Sequence, residues 1–159
     1  MIRKLLLILS LLAFPVITTA QESSLDLKTE RINPGQSIYS IKRLVEKVQE
    51  KLTFPQEKKV AFEGKLLERR LSELNFLVNN KKVTPIERAS QRFSAQAGVY
   101  VEGLEKLDSN NKEGVFKTFE DYKNLLGTLR DNFPANSAYW LLLQQNIDTL
   151  NILSDKIKD

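Results

Sequence analysis

The chain has 159 residues, with 24 Lys and Arg against 20 Asp and Glu, and it contains neither histidine nor cysteine. Without these two residue types, the usual serine- and cysteine-protease triads and zinc sites cannot be built. The six glycines are scattered, so no glycine-rich phosphate loop is present. We therefore predict that the protein is not an enzyme and has no catalytic residues, no metal ligands and no cofactor.

The first twenty residues have the pattern of a signal peptide. Arg3 and Lys4 give a positive start, residues 5–17 are almost entirely apolar, and small residues precede a cleavage point between Ala20 and Gln21. The alternative is an uncleaved N-terminal anchor, but about 13 apolar residues are fewer than the roughly 20 that a spanning helix needs. We expect an exported protein that is secreted, periplasmic or held at the cell surface.

Removal of the leader would leave 22 basic and 20 acidic residues, a net charge of +2. This balance is too even for a nucleic-acid-binding protein. The remaining length suits one domain. We expect a flexible polar lead-in over residues 21–33, closed by the turn sequence Asn33-Pro34-Gly35, and a single helical domain over residues 34–159.

From residue 38 onward, apolar residues recur at steps of three and four, which predicts amphipathic helices. The first helix should begin after Ser37 as N-cap and end before Phe54-Pro55, because the residue before proline is disfavoured in a helix. Charged residues, including Lys42, Arg43 and Glu46, should cover its solvent side. Its predicted inward stripe consists of Ile38, Ile41, Val45, Val48 and Leu52.

Four longer helices should follow. Thr53 with Gln56, and Thr84 with Glu87, predict capping boxes for the second and third helices, and Asn136-Ser137 predicts the cap of the fifth. A loop at residues 108–111 separates the third from the fourth. The predicted inward stripes include Val60, Leu67, Leu71, Leu74 and Val78; Ile86, Ala89, Phe93, Ala97, Tyr100, Leu104 and Leu107; Val115, Phe119, Tyr122, Leu126, Leu129 and Phe133; and Tyr139, Trp140, Leu143, Ile147, Leu150, Leu153 and Ile157.

The predicted fold class is all-α. Long helices joined by short loops favour an antiparallel bundle of four long helices with the shorter N-terminal helix packed against it. The alternative is an extended arrangement in which two helical hairpins pack on a partner or on a second copy. Glu68, Glu73 and Glu102 should lie on solvent faces among basic residues.

Residues 32–105 resemble an uncharacterised family of exported bacterial domains, domain of unknown function 5667. The similarity lies in the stretch from Ile32 to Lys47 (INPGQSIYSIKRLVEK), in the break Leu52-Thr53-Phe54-Pro55, and in the segment LERRLSEL that begins at Leu67. Gln36 departs from the family's usual serine, and Gly64 is unusual within a helix. The resemblance implies an exported helical hairpin near a membrane surface and carries no established activity.

Five residues are candidate partner contacts: Tyr39, Lys42, Arg43, Tyr139 and Trp140. Tyr39 could pack on the second helix while its hydroxyl finds a polar partner. The two adjacent aromatics of the fifth helix cannot face the same way, so one should lie at an edge or an interface. Lys42 and Arg43 are either simply solvated or part of a basic strip that touches anionic lipid headgroups or cell-wall polymer. The other members of that strip would be Lys47, Lys51, Lys58 and Lys59.

These features favour a non-enzymatic exported helical module that binds an unknown envelope protein or polymer. One alternative is a periplasmic holdase-type chaperone, because Leu52-Thr53-x-x-Gln56 is similar to the motif of small periplasmic helical chaperones of the envelope-stress type. The other alternative is a structural spacer or oligomer. The sequence does not determine the oligomeric state, and contact with a membrane surface stays open.

Overall fold

The structure, a computed structural model, describes residues 25, 27–107 and 112–158. The predicted leader, its cleavage point and the loop at residues 108–111 lie outside the described residues. The described residues form five helices: α1 (Tyr39–Leu52), α2 (Gln56–Asn79), α3 (Ile86–Glu105), α4 (Lys112–Arg130) and α5 (Ala138–Lys158).

The all-α prediction is confirmed, and over the described ranges the chain forms no strand. Four helices have 19 to 24 residues, whereas α1 has 14. The α2–α3 hairpin and the α4–α5 hairpin pack on each other mainly through α3 and α5. The compact bundle with a shorter N-terminal helix is therefore the observed arrangement. None of the helices in the described part is both long and apolar enough to cross a bilayer.

The hydrophobic core lies between α2, α3, α4 and α5. Phe93 of α3 and Leu126 of α4 have no exposed surface, and most of the predicted inward residues of these helices are buried. Val101, which was not assigned to the stripe, is buried as well. The core cluster consists of Leu67, Leu71, Leu74, Leu77, Val78, Ile86, Ala89, Phe93, Ala97, Val101, Val115, Phe119, Tyr122, Leu126, Leu129, Leu143, Leu150 and Ile157, and among the described residues it takes none from α1.

The predicted caps of the first three helices are wrong. The N-cap positions are Ile38 for α1, Pro55 for α2 and Pro85 for α3, and none of them makes a side-chain capping hydrogen bond. Thr53 ends α1 instead, and its hydroxyl donates to the carbonyl of Gln49 at 2.6 Å. A threonine hydroxyl can bond back to the preceding turn as readily as it can cap the next one, so the sequence pattern did not distinguish the two.

The cap of α5 and the turn before α1 are confirmed. The backbone N–H of Trp140 donates to the Ser137 hydroxyl at 3.4 Å, which satisfies one free donor of the first turn. In the turn, the N–H of Gln36 donates to the carbonyl of Asn33 at 3.3 Å. Gly35 has φ of 91°, a value that a turn with proline at its second position requires at its third.

Candidate functional site

The apolar stripe of α1 points to solvent, so the prediction that it faces the bundle is wrong. Leu44 and Ile41 are each 63% exposed and Leu52 is 73% exposed, although the same kinds of side chain on α2 are buried. Phe54, just after the helix, is 75% exposed. We call the exposed stripe the α1 apolar face; it consists of Ile38, Ile41, Leu44, Val45, Val48 and Leu52.

The opposite side of α1 is polar and packs on α2. Its buried residues are Tyr39 and Glu46. They join Lys42 of α1 and the two α2 residues Arg70 and Glu73, both almost completely buried. We call these five residues the ionic cluster. The cluster overturns the expectation that Lys42, Glu46 and Glu73 are solvated.

Short hydrogen bonds connect every member of the ionic cluster. The Tyr39 hydroxyl donates to Glu73 Oε2 at 2.8 Å, and Lys42 Nζ donates to Glu73 Oε1 at 2.9 Å. The Arg70 guanidinium donates to Glu73 Oε1 at 2.6 Å and also forms an ion pair with Glu46. The prediction that the Tyr39 hydroxyl finds a polar partner on the second helix is thus confirmed.

Burial and the charges of the cluster shift the pKa values of Glu73, Arg70 and Tyr39. Burial by itself would raise the pKa of Glu73, but the charges and hydrogen bonds of Arg70 and Lys42 hold that pKa below its ordinary value. Burial opposes the charge of Arg70, yet Glu73 and Glu46 raise the Arg70 pKa above its usual range. Burial, then the Glu73 carboxylate, raises the pKa of the Tyr39 hydroxyl. Glu73 and Arg70 therefore stay charged, and the Tyr39 hydroxyl stays neutral, at neutral pH.

The segment before α1 completes the attachment. Glu30 Oε2 accepts from Lys42 Nζ at 2.8 Å, and the Ser72 hydroxyl of α2 donates to the Lys28 carbonyl at 2.9 Å. The guanidinium of Arg92, from α3, lies 5.1 Å from the centre of the Tyr39 ring. Residues predicted as a flexible lead-in thus make defined contacts with α1 and α2.

This attachment fixes the rotational position of α1. Turning the apolar face inward would separate Lys42 from Glu73 and Glu46 from Arg70, and Arg70 and Glu73 would keep only each other as buried counter-charges. A buried ion that loses its partner costs about 3–5 kcal/mol. The α1 apolar face is therefore exposed because the polar face is the one that is bound.

The charged residues around the α1 apolar face are unevenly distributed. Lys47 and Lys51 are exposed and lie four residues apart along one edge of the face. On the other edge, Lys28 and Arg31 line a groove of about 750 Å³ together with α1 residues such as Ile41. The Glu30 carboxylate in the same groove is paired with Lys42. The exposed surroundings of the face are thus predominantly cationic.

The two carboxylates of α1 do not balance these cations. Glu46 is buried against Arg70. Glu50 lies on the α2 side, where its charge contributes to the raised pKa of Glu63 in α2. In the first turn of α2, the exposed carboxylate of Glu57 is followed by the exposed Lys58.

Of the other candidate contacts, Arg43 borders the ionic cluster, whereas Tyr139 and Trp140 lie on α5. Arg43 is partly exposed and pairs with Glu46 at 2.8 Å. Tyr139 and Trp140 are both half-buried: the Tyr139 ring lies 5.4 Å from that of Phe133, and the Arg130 guanidinium lies 5.0 Å from the Trp140 ring. The structure does not bring this aromatic pair together with Tyr39, Lys42 or Arg43, and a role in partner binding stays a prediction for all five.

Two further buried polar residues escaped the sequence analysis. Asn146 of α5 is fully buried, and its amide donates to the Ser90 carbonyl at 3.0 Å. Glu63 of α2 is 3% exposed, its Oε2 has no hydrogen-bond partner, and burial raises its pKa. A Cβ built on Gly103 would lie 2.5 Å from this oxygen, so α2 and α3 come close there. At Gly98, by contrast, an added Cβ would meet nothing within 4 Å.

The ionic cluster is internally paired, and no group of His, Cys, Asp or Glu side chains suited to a metal ion occurs in the part of the chain that the structure describes. The feature presented to solvent is a helix with an apolar face and cationic edges.

The fold and this surface define a small helical bundle whose first helix is attached through its charged side. The chain belongs to the family of the domain of unknown function DUF5667, whose profile matches residues 31–158. The match confirms the resemblance seen in the sequence and extends it beyond residue 105 to the end of α5. Searches of curated proteins and of solved structures found no match.

Proposed function

We propose that this protein is a non-enzymatic, exported helical module that binds another component of the cell envelope through the α1 apolar face. The observation that carries this proposal is the orientation of α1. Monomeric proteins rarely leave a contiguous apolar patch exposed unless it contacts something. Here, the patch occupies most of one helix face and continues to Phe54.

The attachment of α1 supports a binding role for this face. A helix can lower its exposed apolar area by rotating toward the core, but the ionic cluster prevents that rotation. Because the cluster is nearly inaccessible, it adds rigidity without offering a contact of its own. A partner would therefore meet a preformed surface, which lowers the entropy cost of binding.

Export is proposed on the sequence pattern of residues 1–20, and the lack of catalysis on the missing histidine and cysteine. The envelope component remains open at this level: a protein, a polymer or a lipid surface would each satisfy the proposal.

The test compares retention of the exported protein in washed envelopes. The double variant Leu44→Asp/Val48→Asp places two charges on the α1 apolar face, and Ile152→Asp is the matched control, because Ile152 is 69% exposed on α5. We expect the double variant to be released and the control to be retained like the native chain. Equal retention of all three would overturn the proposal.

The same variants test the alternative that the protein is a holdase-type chaperone. Suppressed aggregation of a denatured model protein at stoichiometric amounts, abolished by Leu44→Asp/Val48→Asp, would assign the α1 apolar face to unfolded clients instead. Concentration-dependent association of the native chain in sedimentation, lost in the same variant, would favour the spacer or oligomer alternative.

A further inference from the structure

We propose that the partner of the α1 apolar face is the surface of an anionic lipid bilayer. This inference rests on the proposed function and names the component that the face binds. It is carried by the combination of an exposed apolar stripe, cationic edges and a fixed helix orientation.

The dimensions of α1 suit a helix that lies in the plane of the membrane surface. Its 14 residues give a length of about 21 Å, too short to cross the hydrocarbon region. Interfacial helices of this kind bury one apolar face at the boundary between headgroups and acyl chains and direct basic residues to the phosphates. Leu44, Val48, Leu52 and the adjoining Phe54 would enter that boundary.

The charges select an anionic surface. Lys47 and Lys51 border one edge of the α1 apolar face, and Lys28 and Arg31 line the groove on the other edge. The carboxylates of α1 are held on the side of α2. Lysines next to a negatively charged leaflet add to binding, about fivefold in affinity for each.

A second copy of this chain fits the same face less well. In an antiparallel two-fold pair, each edge of α1 lies beside the same edge of the other copy, so Lys47 would meet the partner copy's lysines. In a parallel pair, these lysines would face the edge that carries Lys28 and Arg31. Neither arrangement supplies an exposed α1 carboxylate, and like charges at the edges of paired helices disfavour association.

The experiment measures binding of the protein recovered after export to lipid vesicles by flotation. The vesicles contain phosphatidylcholine alone or with about one third phosphatidylglycerol. We expect binding to the phosphatidylglycerol vesicles, weakening as salt rises because the headgroup attraction is screened. Binding to neither kind of vesicle would overturn the proposal.

Two pairs of variants locate the contact. Leu44→Asp/Val48→Asp should weaken binding at least about tenfold, since charges do not enter the acyl boundary, whereas Ile152→Asp should bind like the native chain. Lys47→Gln/Lys51→Gln should weaken binding about 25-fold, with Lys117→Gln, an exposed lysine of α4, as its control. Both double variants should melt at the native temperature, because all four side chains are exposed; a large drop would show that the face is buried and contradict the proposal.

The outcomes distinguish this inference from the proposed function. If the α1 variants are released from washed envelopes but the native chain does not bind vesicles, the proposed function is supported and lipid is the wrong partner. In that case, α1-dependent capture of an acidic amphipathic peptide, or α1-dependent dimerisation, would identify the correct class. If α1 affects neither envelope retention nor vesicle binding, both proposals fail.

Discussion

The four-helix core and the α1 attachment are stabilised by opposite means. The core places Leu, Phe and Val between α2 and α5, with few polar groups. The attachment holds α1 by buried ion pairs and hydrogen bonds around Arg70 and Glu73, and leaves leucines and isoleucines in solvent. The comparison shows that an amphipathic helix can be docked through either face when the body of the protein offers buried counter-charges.

The two kinds of docking differ in what they permit. Apolar packing tolerates substitutions that keep volume, whereas a buried ionic network depends on each member being present. A helix attached through its charged side keeps its apolar side free for a partner.

Phe93→Asp should unfold the domain, because it puts an unpaired charge among side chains with no exposed surface. The expected loss of unfolding free energy is more than about 4 kcal/mol, measured by urea denaturation followed by circular dichroism. Leu126→Asp should cause a similar loss of unfolding free energy. Native-like melting of either variant would show that the core lies elsewhere.

Arg70→Met should release α1. Glu46 and Glu73 would be left buried without their shared cation, which costs about 3–5 kcal/mol. Native-state hydrogen exchange should show loss of protection in α1 amides while α3 amides stay protected. Arg69→Met is the control: the Arg69 side chain is 37% exposed, its contacts with Glu30 and Glu46 are 3.7 Å long, and the expected cost is about 0.5 kcal/mol. Equal effects of the two variants would refute the role given to the ionic cluster.

Glu63→Met should stabilise the protein by about 1 kcal/mol at neutral pH, because it removes a buried oxygen that has no partner. The folded-state pKa of Glu63 is raised, so its cost is absent below the ordinary value of 4.5 and appears as the pH rises through the folded-state pKa. Thermal melting at several pH values should therefore show the gain shrinking in acid. A gain that is the same at every pH would contradict this account.

The contribution of Glu73 to stability changes with pH in the opposite direction. Its folded-state pKa is lowered, so its stabilisation is present above the ordinary value of 4.5 and is lost as the pH falls through the folded-state pKa. Acidification should consequently weaken the attachment of α1 to α2, while it removes the free-energy cost of the buried Glu63 carboxylate. Hydrogen exchange that reports loss of α3 protection before loss of α1 protection on acidification would exclude this order.

Ser137→Ala should cost about 1 kcal/mol, whereas Thr53→Ala and Thr84→Ala should change stability by less than about 0.5 kcal/mol. Only Ser137 among these three accepts a hydrogen bond from a helix N-terminus, at the start of α5. Urea denaturation of the three variants measures the differences. A larger loss of unfolding free energy for either threonine variant would support the capping boxes that the sequence pattern predicts.

Helix positions and the bundle core followed from sequence because they depend on local spacing. Phe93 and Leu126 repeat with the helical period of their own segments, and the period is visible without knowing any partner. The helix breaks at Pro55 and Asn80 have local causes as well.

The orientation of α1 could not be predicted from sequence, since the helical period shows which side is apolar but not which side is buried. The deciding residues, Arg70 and Glu73, lie 24 to 34 positions from the α1 residues that they bind. In sequence they form part of an ordinary charged run. The segment LERRLSEL, which carries both residues, gave a family resemblance without indicating that its charges are buried.

Buried Asn146 and Glu63 were missed for a related reason. Each lies one position away from an apolar residue on its helix, and a polar residue at the border of a stripe is usually solvated. The Asn146 amide is buried because Ser90 and Ser94 of α3 supply its partners across the bundle. Only the packed helices reveal such pairs.

The orientation of α1 is tested most directly by thiol labelling, because the natural chain has no cysteine to give background. Leu44→Cys, Ile152→Cys and Leu71→Cys are each exposed to a maleimide dye in the absence of lipid, and the labelling rates are measured. Leu44→Cys should react at the rate of the exposed Ile152→Cys, and far faster than the buried Leu71→Cys. If Leu44→Cys is instead protected like Leu71→Cys, α1 packs through its apolar face and the central claim is contradicted.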